Sequence, residues 1–224
     1  IFKRINNLFV NAFDDHTTIN GYHILAQDGS DVNIPFMDDK TKTEKHDAKS
    51  FCQYHVNALY DCLNKVFYDW SIDAASKKRE VNALISILKD RNYPQNSIFT
   101  ADRGYESYNL MAHFIENDIK FVIRVKDIHT RSGLMTNIKT EEGAFDIRVT
   151  RTLTSLQTKE IKADKEKYIF VPSTSNFDFL DETRDLYDLS FRAVRFKISE
   201  DTYETVVTNL SEEEFKTEDF KELY

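Results

Sequence analysis

The chain has 224 residues, of which 41% are hydrophobic, 13% aromatic and 30% charged; it is too apolar for a disordered tail and has enough for a buried core. Its longest apolar runs, such as Phe121-Val122-Ile123, fall far short of the ~20 residues that span a bilayer, which excludes a membrane span. A net charge of −8 and a pI near 5.3 argue against indiscriminate nucleic-acid binding by the whole surface, and leave room for a local basic face.

The length suits one domain with a sizeable insertion, or one with a small companion. No basic-then-apolar leader opens the chain, and its start at Ile1 reads as a cut. Residues 217–224 read as a capped helical start that then stops, so the sequence reads as a fragment. Cys52 and Cys62 are too few for a disulfide framework and suit a reducing cytoplasm.

In chain order, a short apolar helix is expected around Leu8, Phe9 and Phe13. A strand over 22–28 follows, then a tight turn at Gly29-Ser30 and a return through 32–35. Residues 38–49 are polar and read as a loop. The stretch 53–60 alternates as a strand with Tyr54, Val56, Ala58 and Tyr60 on one face. A turn at 61–65 leads to a return strand at 66–72, rich in aromatic and β-branched residues. Val81, Leu84, Ile85 and Leu88 have helical spacing, closed off by Asn92-Tyr93-Pro94. A buried strand at 97–101 delivers Asp102, a helix carries Tyr108, Met111, Ala112 and Ile115 on one face, and 119–125 is a strand. This order is mixed α/β. Beyond Lys126 the helical signal disappears and strands recur at 144–150, 168–171, 190–198 and 203–208, a β-rich insertion. Helix signals return at Ser211 with Glu214, a capping-box spacing, and at Thr217.

Asp28 and Asp102 each stand at an expected strand end beside a glycine-containing turn, where α/β sheets bind ligands. Two carboxylates from adjacent strands can share a divalent cation, and a third would complete a two-metal site for phosphoryl displacement. Asp before glycine is also ordinary turn chemistry, and spacing alone does not separate the two readings. Cys52 and His55, with Cys62 and His46 nearby, invite a zinc reading, but a second closely spaced ligand pair is lacking and a structural role is favoured. Trp70 is expected in the core. Lys77-Lys78-Arg79 is expected to be a solvated surface, and Tyr105 is expected to pack at the start of the following helix.

Ala26-Gln27-Asp28-Gly29-Ser30, then Tyr60-Asp61, then Thr100-Ala101-Asp102-Arg103-Gly104-Tyr105 resemble the successive blocks of a bacterial DDE transposase of the insertion sequence four family. The resemblance covers nearly the whole chain in order, and the Asp-Arg-Gly-Tyr block is its most specific piece. It implies an α/β, ribonuclease-H-like mixed sheet flanked by helices, with a β-rich insertion subdomain. The core would occupy 1–126, the insertion 127–210, and the start of the returning core helix 211–224.

The resemblance further implies that Asp28 and Asp102 are the first two catalytic carboxylates and bind Mg²⁺ or Mn²⁺, with two ions in the intact protein. The implied partners are double-stranded DNA, as transposon ends and target, and a second copy in a homodimeric synaptic complex. The implied location is cytoplasmic and nucleoid-associated. Arg103, and Arg124 and Lys126 alternating along one strand face, are the candidate DNA-phosphate contacts. The family's third acid is a Glu on a helix, in the pattern Tyr, two residues, Arg, three residues, Glu, six residues, Lys. Tyr224 matches the opening Tyr, so the fragment is expected to lack its third metal ligand and to be inactive. Some relatives stack a flipped base on an aromatic residue of the insertion. This insertion has no Trp, which leaves Phe177, Phe179 or Tyr187 as substitutes. Two competing functions remain: a non-catalytic DNA-binding or assembly module on the same fold, and a nuclease that hydrolyses DNA without joining ends.

Overall fold

The computed structural model describes residues 2–12, 15–35, 42–43, 51–74 and 79–223. Expectations placed on Phe13, His46, Lys77, Lys78 and Tyr224, and on most of 38–49, lie outside them. The architecture is mixed α/β, and the chain divides into two compact units, Ile1–Gly104 and Tyr105–Tyr224. No helix among the described residues is long and apolar enough to cross a membrane.

The first unit comprises helix α1 (Phe2–Val10), strands β1 (His23–Ile34), β2 (Lys42–Thr43), β3 (Phe51–Asp61) and β4 (Val66–Ala74), helix α2 (Glu80–Asp90) and strand β5 (Ser97–Ala101). Strand β3 pairs antiparallel with β1 on one side and with β2 and β4 on the other. On its far side β1 pairs parallel with β5, from His23↔Ser97 to Gln27↔Ala101. Helix α2 buries Leu84, Ile85, Ile87 and Leu88 and packs on β1. Strand β5 is buried throughout.

Two expectations are corrected in this unit. The turn at Gly29-Ser30 does not form, because β1 runs unbroken for 12 residues. The reason is nonlocal: β3 supplies ladder partners from Leu25↔Asp61 to Ile34↔Cys52, so the backbone of 29–34 needs no turn to satisfy it. The other is at Trp70; β3 itself forms as expected, with Tyr54, Val56, Ala58 and Tyr60 on one face and the deeply buried His55, Asn57, Leu59 and Asp61 on the other. That polar face tolerates burial where it is hydrogen-bonded: Asp61 lies 2.7 Å from His23 Nδ1 and accepts the backbone N–H of Leu63 and of Asn64. Trp70 is half-buried rather than in the core.

The second unit comprises helix α3 (Tyr108–Glu116), strands β6 (Lys120–Arg124) and β7 (Phe145–Thr154), helix α4 (Lys159–Ala163), strands β8 (Tyr168–Phe170), β9 (Leu186–Ser199) and β10 (Thr202–Thr208), and helix α5 (Phe220–Leu223). Its strand order is β6-β10-β9-β7-β8. All pairs are antiparallel except β7–β8. Helix α3 starts at Ser107, whose Oγ accepts the Leu110 N–H, and buries Leu110, Met111, Ala112 and Phe114. The Asn209 side chain ties the end of β10 to β6, accepting the Phe121 N–H at 3.0 Å and donating to the Ile119 carbonyl at 2.8 Å.

Helix α4 corrects the expectation that helical structure disappears after Lys126; it is one exposed turn capped by Thr158, too short to leave an apolar period. Ser211 and Glu214 do form the expected capping contacts at 3.3 Å, but only a turn follows them. Tyr105 is buried at 1% exposure.

Candidate metal-binding carboxylates

The parallel pairing of β1 with β5 stops at Gln27↔Ala101. The next residue on each strand is Asp28 and Asp102, and adjacent strands lie about 4.8 Å apart. Burial changes sharply there: Gln27 is 3% and Ala101 5% exposed, whereas both aspartates are exposed. The register therefore puts the two aspartates at neighbouring positions where the buried pair ends. Asp28 is not at a strand terminus, because β1 continues along β3. It is at the end of the parallel ladder, and that is what places it beside Asp102. Each carboxylate is held by a nearby main-chain amide: Asp28 Oδ1 accepts the Gly29 N–H and Asp102 Oδ1 the Gly104 N–H, both at 2.8 Å.

The two glycines let neighbouring side chains come close against the backbone. A Cβ on Gly29 would stand 2.5 Å from His55 Nε2 and 2.8 Å from Glu80 Oε1, and one on Gly104 would stand 3.0 Å from Asp102 Oδ1 and 3.5 Å from Glu80 Oε2. Glu80, the first residue of α2, thus sends one oxygen toward each glycine. His55 is fully buried, and its Nδ1 pairs with Asp31 Oδ1 at 2.6 Å. Its Nε2 lies 3.3 Å from Glu80 Oε1, without hydrogen-bond geometry.

Neither the Asp31–His55 pair nor the approach of Glu80 to His55 is expected from the sequence. The signal for Glu80 was an acid in the first turn of a helix, ordinarily read as a favourable dipole contact. The pairing of Asp31 with His55 follows only from the β1–β3 register.

Exposed carboxylates such as Asp28 and Asp102 suit, by their oxygens, a hard divalent cation such as Mg²⁺ or Mn²⁺. Among the described residues no three His, Cys, Asp or Glu side chains already stand arranged to hold a metal. Binding would therefore trade the exposed carboxylates' amide hydrogen bonds, each worth about 1 kcal/mol net, for metal coordination. Both cysteines are free thiols. Cys52 is buried, and burial pushes the Cys62 thiol above its ordinary value.

Arg103 is exposed in a 3₁₀ turn directly after Asp102. Arg124 and Lys126 belong to the second unit. The Arg124 guanidinium is paired with Glu204 on β10, while Lys126 is exposed just past β6. The aromatic candidates of the insertion are packing residues. Phe177 and Tyr187 are 9% and 1% exposed, Phe179 stacks edge-on against His113 at 4.8 Å, and the Tyr187 hydroxyl donates to Glu116.

No curated protein matches the chain. A family model described as the transposase DDE domain matches residues 19–224, an interval that contains both exposed aspartates, both glycines, His55 and Glu80. The chain therefore belongs to the transposase DDE domain family, and its general role is in DNA transposition.

Proposed function

We propose that this chain is the catalytic domain of an insertion sequence four type transposase, with Asp28 and Asp102 as the first two carboxylates of a two-ion site for DNA strand cleavage and strand transfer. The observation that carries the reading is the emergence of both aspartates, at neighbouring positions and exposed, where the buried β1–β5 pair ends. On this reading the fold is ribonuclease-H-like, with a core at 1–126, a β-rich insertion at 127–210 and the core resuming at 211–224. The protein works as a homodimer on paired transposon ends and target DNA at the nucleoid in the cytoplasm. The insertion sequence four pattern places the third acid after a tyrosine that matches Tyr224.

Mg²⁺ or Mn²⁺ held there supplies activation of a water or a DNA 3′-hydroxyl and stabilisation of the leaving oxygen. The residues of this chain do the positioning. Asp28 and Asp102 fix the site where the pairing of two strands ends, strands that cannot shift without opening the sheet. Arg103, exposed one residue from Asp102, is placed to meet that phosphate. Lys126 adds sequence-independent affinity, and Arg124 contributes only by exchanging Glu204 for a phosphate.

The test is Mg²⁺-dependent cleavage of transposon-end DNA by the full-length protein. Asp28→Asn and Asp102→Asn are each expected to abolish it with the melting temperature unchanged. Normal cleavage by the Asp102→Asn protein would remove that residue from the site.

A further inference from the structure

We propose that the cleft between α1 and the segment that follows α2 binds a phosphate group, with Arg91 as its charged anchor and the imidazoles of His16 and His23 beside it. The cleft belongs wholly to the first unit. It lies away from the aspartates, because His23 opens β1 and Asp28 comes five residues later, about 17 Å along an extended strand.

The first observation is the make-up of the cleft. Its volume is about 380 Å³, within the range of small-molecule sites. Its walls are tied together: Asn7 on α1 donates to the Asn92 side chain at 3.3 Å, and Asn92 donates to the Tyr68 carbonyl on β4 at 3.3 Å. Asn11, His16, His23, Tyr68 and Arg91 line it, and none of the described lining residues is acidic. In a chain of net charge −8, a guanidinium and two imidazoles around one acid-free space select an anion. These polar groups come from separate stretches of chain, which suits the tetrahedral spread of phosphate oxygens better than the single plane of a carboxylate.

The second observation is the backbone of Arg91. It closes α2 in the left-handed conformation, φ 51° and ψ 35°, with its N–H on the Ile87 carbonyl. That cap position ordinarily belongs to glycine, because a side chain there costs about 1 kcal/mol. An arginine in a strained place that lines a cleft points to a use for its side chain.

The third observation is a pair of buried polar groups. Asp61, fully buried, lies 2.7 Å from His23 Nδ1 and also accepts the backbone N–H of Leu63 and of Asn64. This fixes the His23 ring and leaves Nε2 to meet a ligand, accepting the proton of a hydrogen phosphate or, once the ring is protonated, donating to it. The His16 ring sits 5.2 Å from the His23 ring. Tyr68 is 5% exposed, and its hydroxyl has no hydrogen-bond partner. Burial first and the Asp61 charge second push that phenol up to about 12, so it stays a donor. A buried donor without an acceptor is costly, and an oxyanion in the cleft that Tyr68 lines can supply one.

The experiment is a titration of the purified chain with inorganic phosphate at pH 7 and constant ionic strength, followed by the imidazole ring-proton NMR signals of His16 and His23. Wild type is compared with Arg91→Gly and Arg91→Lys, and melting temperatures are recorded for all three. Glycine suits the left-handed cap, so Arg91→Gly is expected to melt at or above the wild-type temperature while its phosphate dissociation constant rises about tenfold or more, the scale of a lost charge-assisted hydrogen bond. Arg91→Lys keeps the charge without the planar fork and should fall between the two.

Repeating the titration with a short DNA duplex present separates the sources of the phosphate. Displacement of inorganic phosphate by the duplex identifies a DNA phosphate as the ligand, and undisturbed phosphate binding identifies a small phosphorylated molecule. Ring signals that do not shift saturably in wild type, or wild-type affinity in the Arg91→Gly protein, overturn the proposal.

Discussion

In the unit 105–224 three arginines, Arg151, Arg192 and Arg195, are buried to 0%, 2% and 4% exposure, whereas in the unit 1–104 Asp28 and Asp102 are exposed carboxylates bonded to amides one and two residues away. The buried arginines are densely bonded. Arg192 Nε donates to Asp146 Oδ1 at 2.7 Å, Nη2 takes the other carboxylate oxygen, Nη1 reaches the Phe215 carbonyl at 2.8 Å, and the guanidinium lies over the Phe220 ring. Arg195 holds Asp127 with Nε and Nη2 at 2.8 and 2.9 Å, donates through Nη1 to the Gly143 carbonyl, and lies over Tyr203 at 4.1 Å. Arg151 donates to the carbonyls of Thr136, Lys165 and Glu166. Arg192 and Arg195 are committed through both carboxylate and carbonyl partners, while the buried Nε of Arg151 makes no hydrogen bond; charges held this way anchor loops and termini. A charge held only by its own turn of backbone can be given over to an ion or a phosphate.

The sharpest way to break this contrast is to remove one partner on each side and compare stabilities. Asp146→Ala strips Arg192 of its carboxylate while the guanidinium stays buried, and should cost about 3 kcal/mol, the penalty for an uncompensated buried charge. It also frees Thr217, whose hydroxyl donates to Asp146 at 2.8 Å, so the segment leading into α5 should lose hydrogen-exchange protection first. Asp28→Asn keeps the acceptor oxygen for the Gly29 N–H at an exposed site and should change stability by no more than about 0.5 kcal/mol. Urea unfolding of the two variants reads both values. Equal losses would mean that Asp28 is as structural as Asp146.

Gly29→Ala sharpens the same contrast within the first unit. The new methyl would meet His55 Nε2 at 2.5 Å and Glu80 Oε1 at 2.8 Å, and His55 is locked in a fully buried setting, so the strain should cost about 1–3 kcal/mol. Strand conformation itself does not demand a glycine here, since Gly29 is outside the set of positive-φ residues. An unchanged unfolding midpoint would show that Glu80 and His55 can swing away freely.

The readable parts of the fold were those fixed by local pattern. The helical spacing of Val81, Leu84, Ile85 and Leu88 gives α2, and the apolar run at 97–101 gives β5, with Asp102 directly after it. What failed depended on pairing across the sequence. Gly29-Ser30 reads locally as a turn and is straightened by β3, and which face of β3 is buried is decided by the partners that His55 and Asp61 find on β1. The site divides in the same way. Asp28 and Asp102 were legible through their sequence blocks, while the Asp31–His55 pair and the approach of Glu80 to His55 appear only when strand register and helix packing bring β1, β3 and α2 together.

The smallest of these effects is a pH dependence in the second unit. Hydrogen bonds from Arg195 hold the Asp127 carboxyl well below its ordinary value, with further help from the Ile128 N–H, the Thr205 hydroxyl and the Arg195 charge, against a raising effect of burial. At Asp146, burial pushes the carboxyl up, and the bonds from Arg192 and Thr217 outweigh it, leaving a net lowering. A carboxyl lowered by folding adds stability that is fully present above its unfolded value, about 3.9, and that is lost as pH falls below that value toward the folded one. Asp127→Asn should therefore be less stable than wild type at pH 7, and the gap should narrow steadily as pH falls below about 4. Asp127 is 37% exposed in its side chain, so solvent screens the pair and the gap should be smaller than that of Asp146→Ala. Urea midpoints for both proteins at pH 7, 4 and 3 decide it, and a gap that stays constant on acidification would place the Asp127 contribution in its hydrogen-bond geometry rather than in its charge.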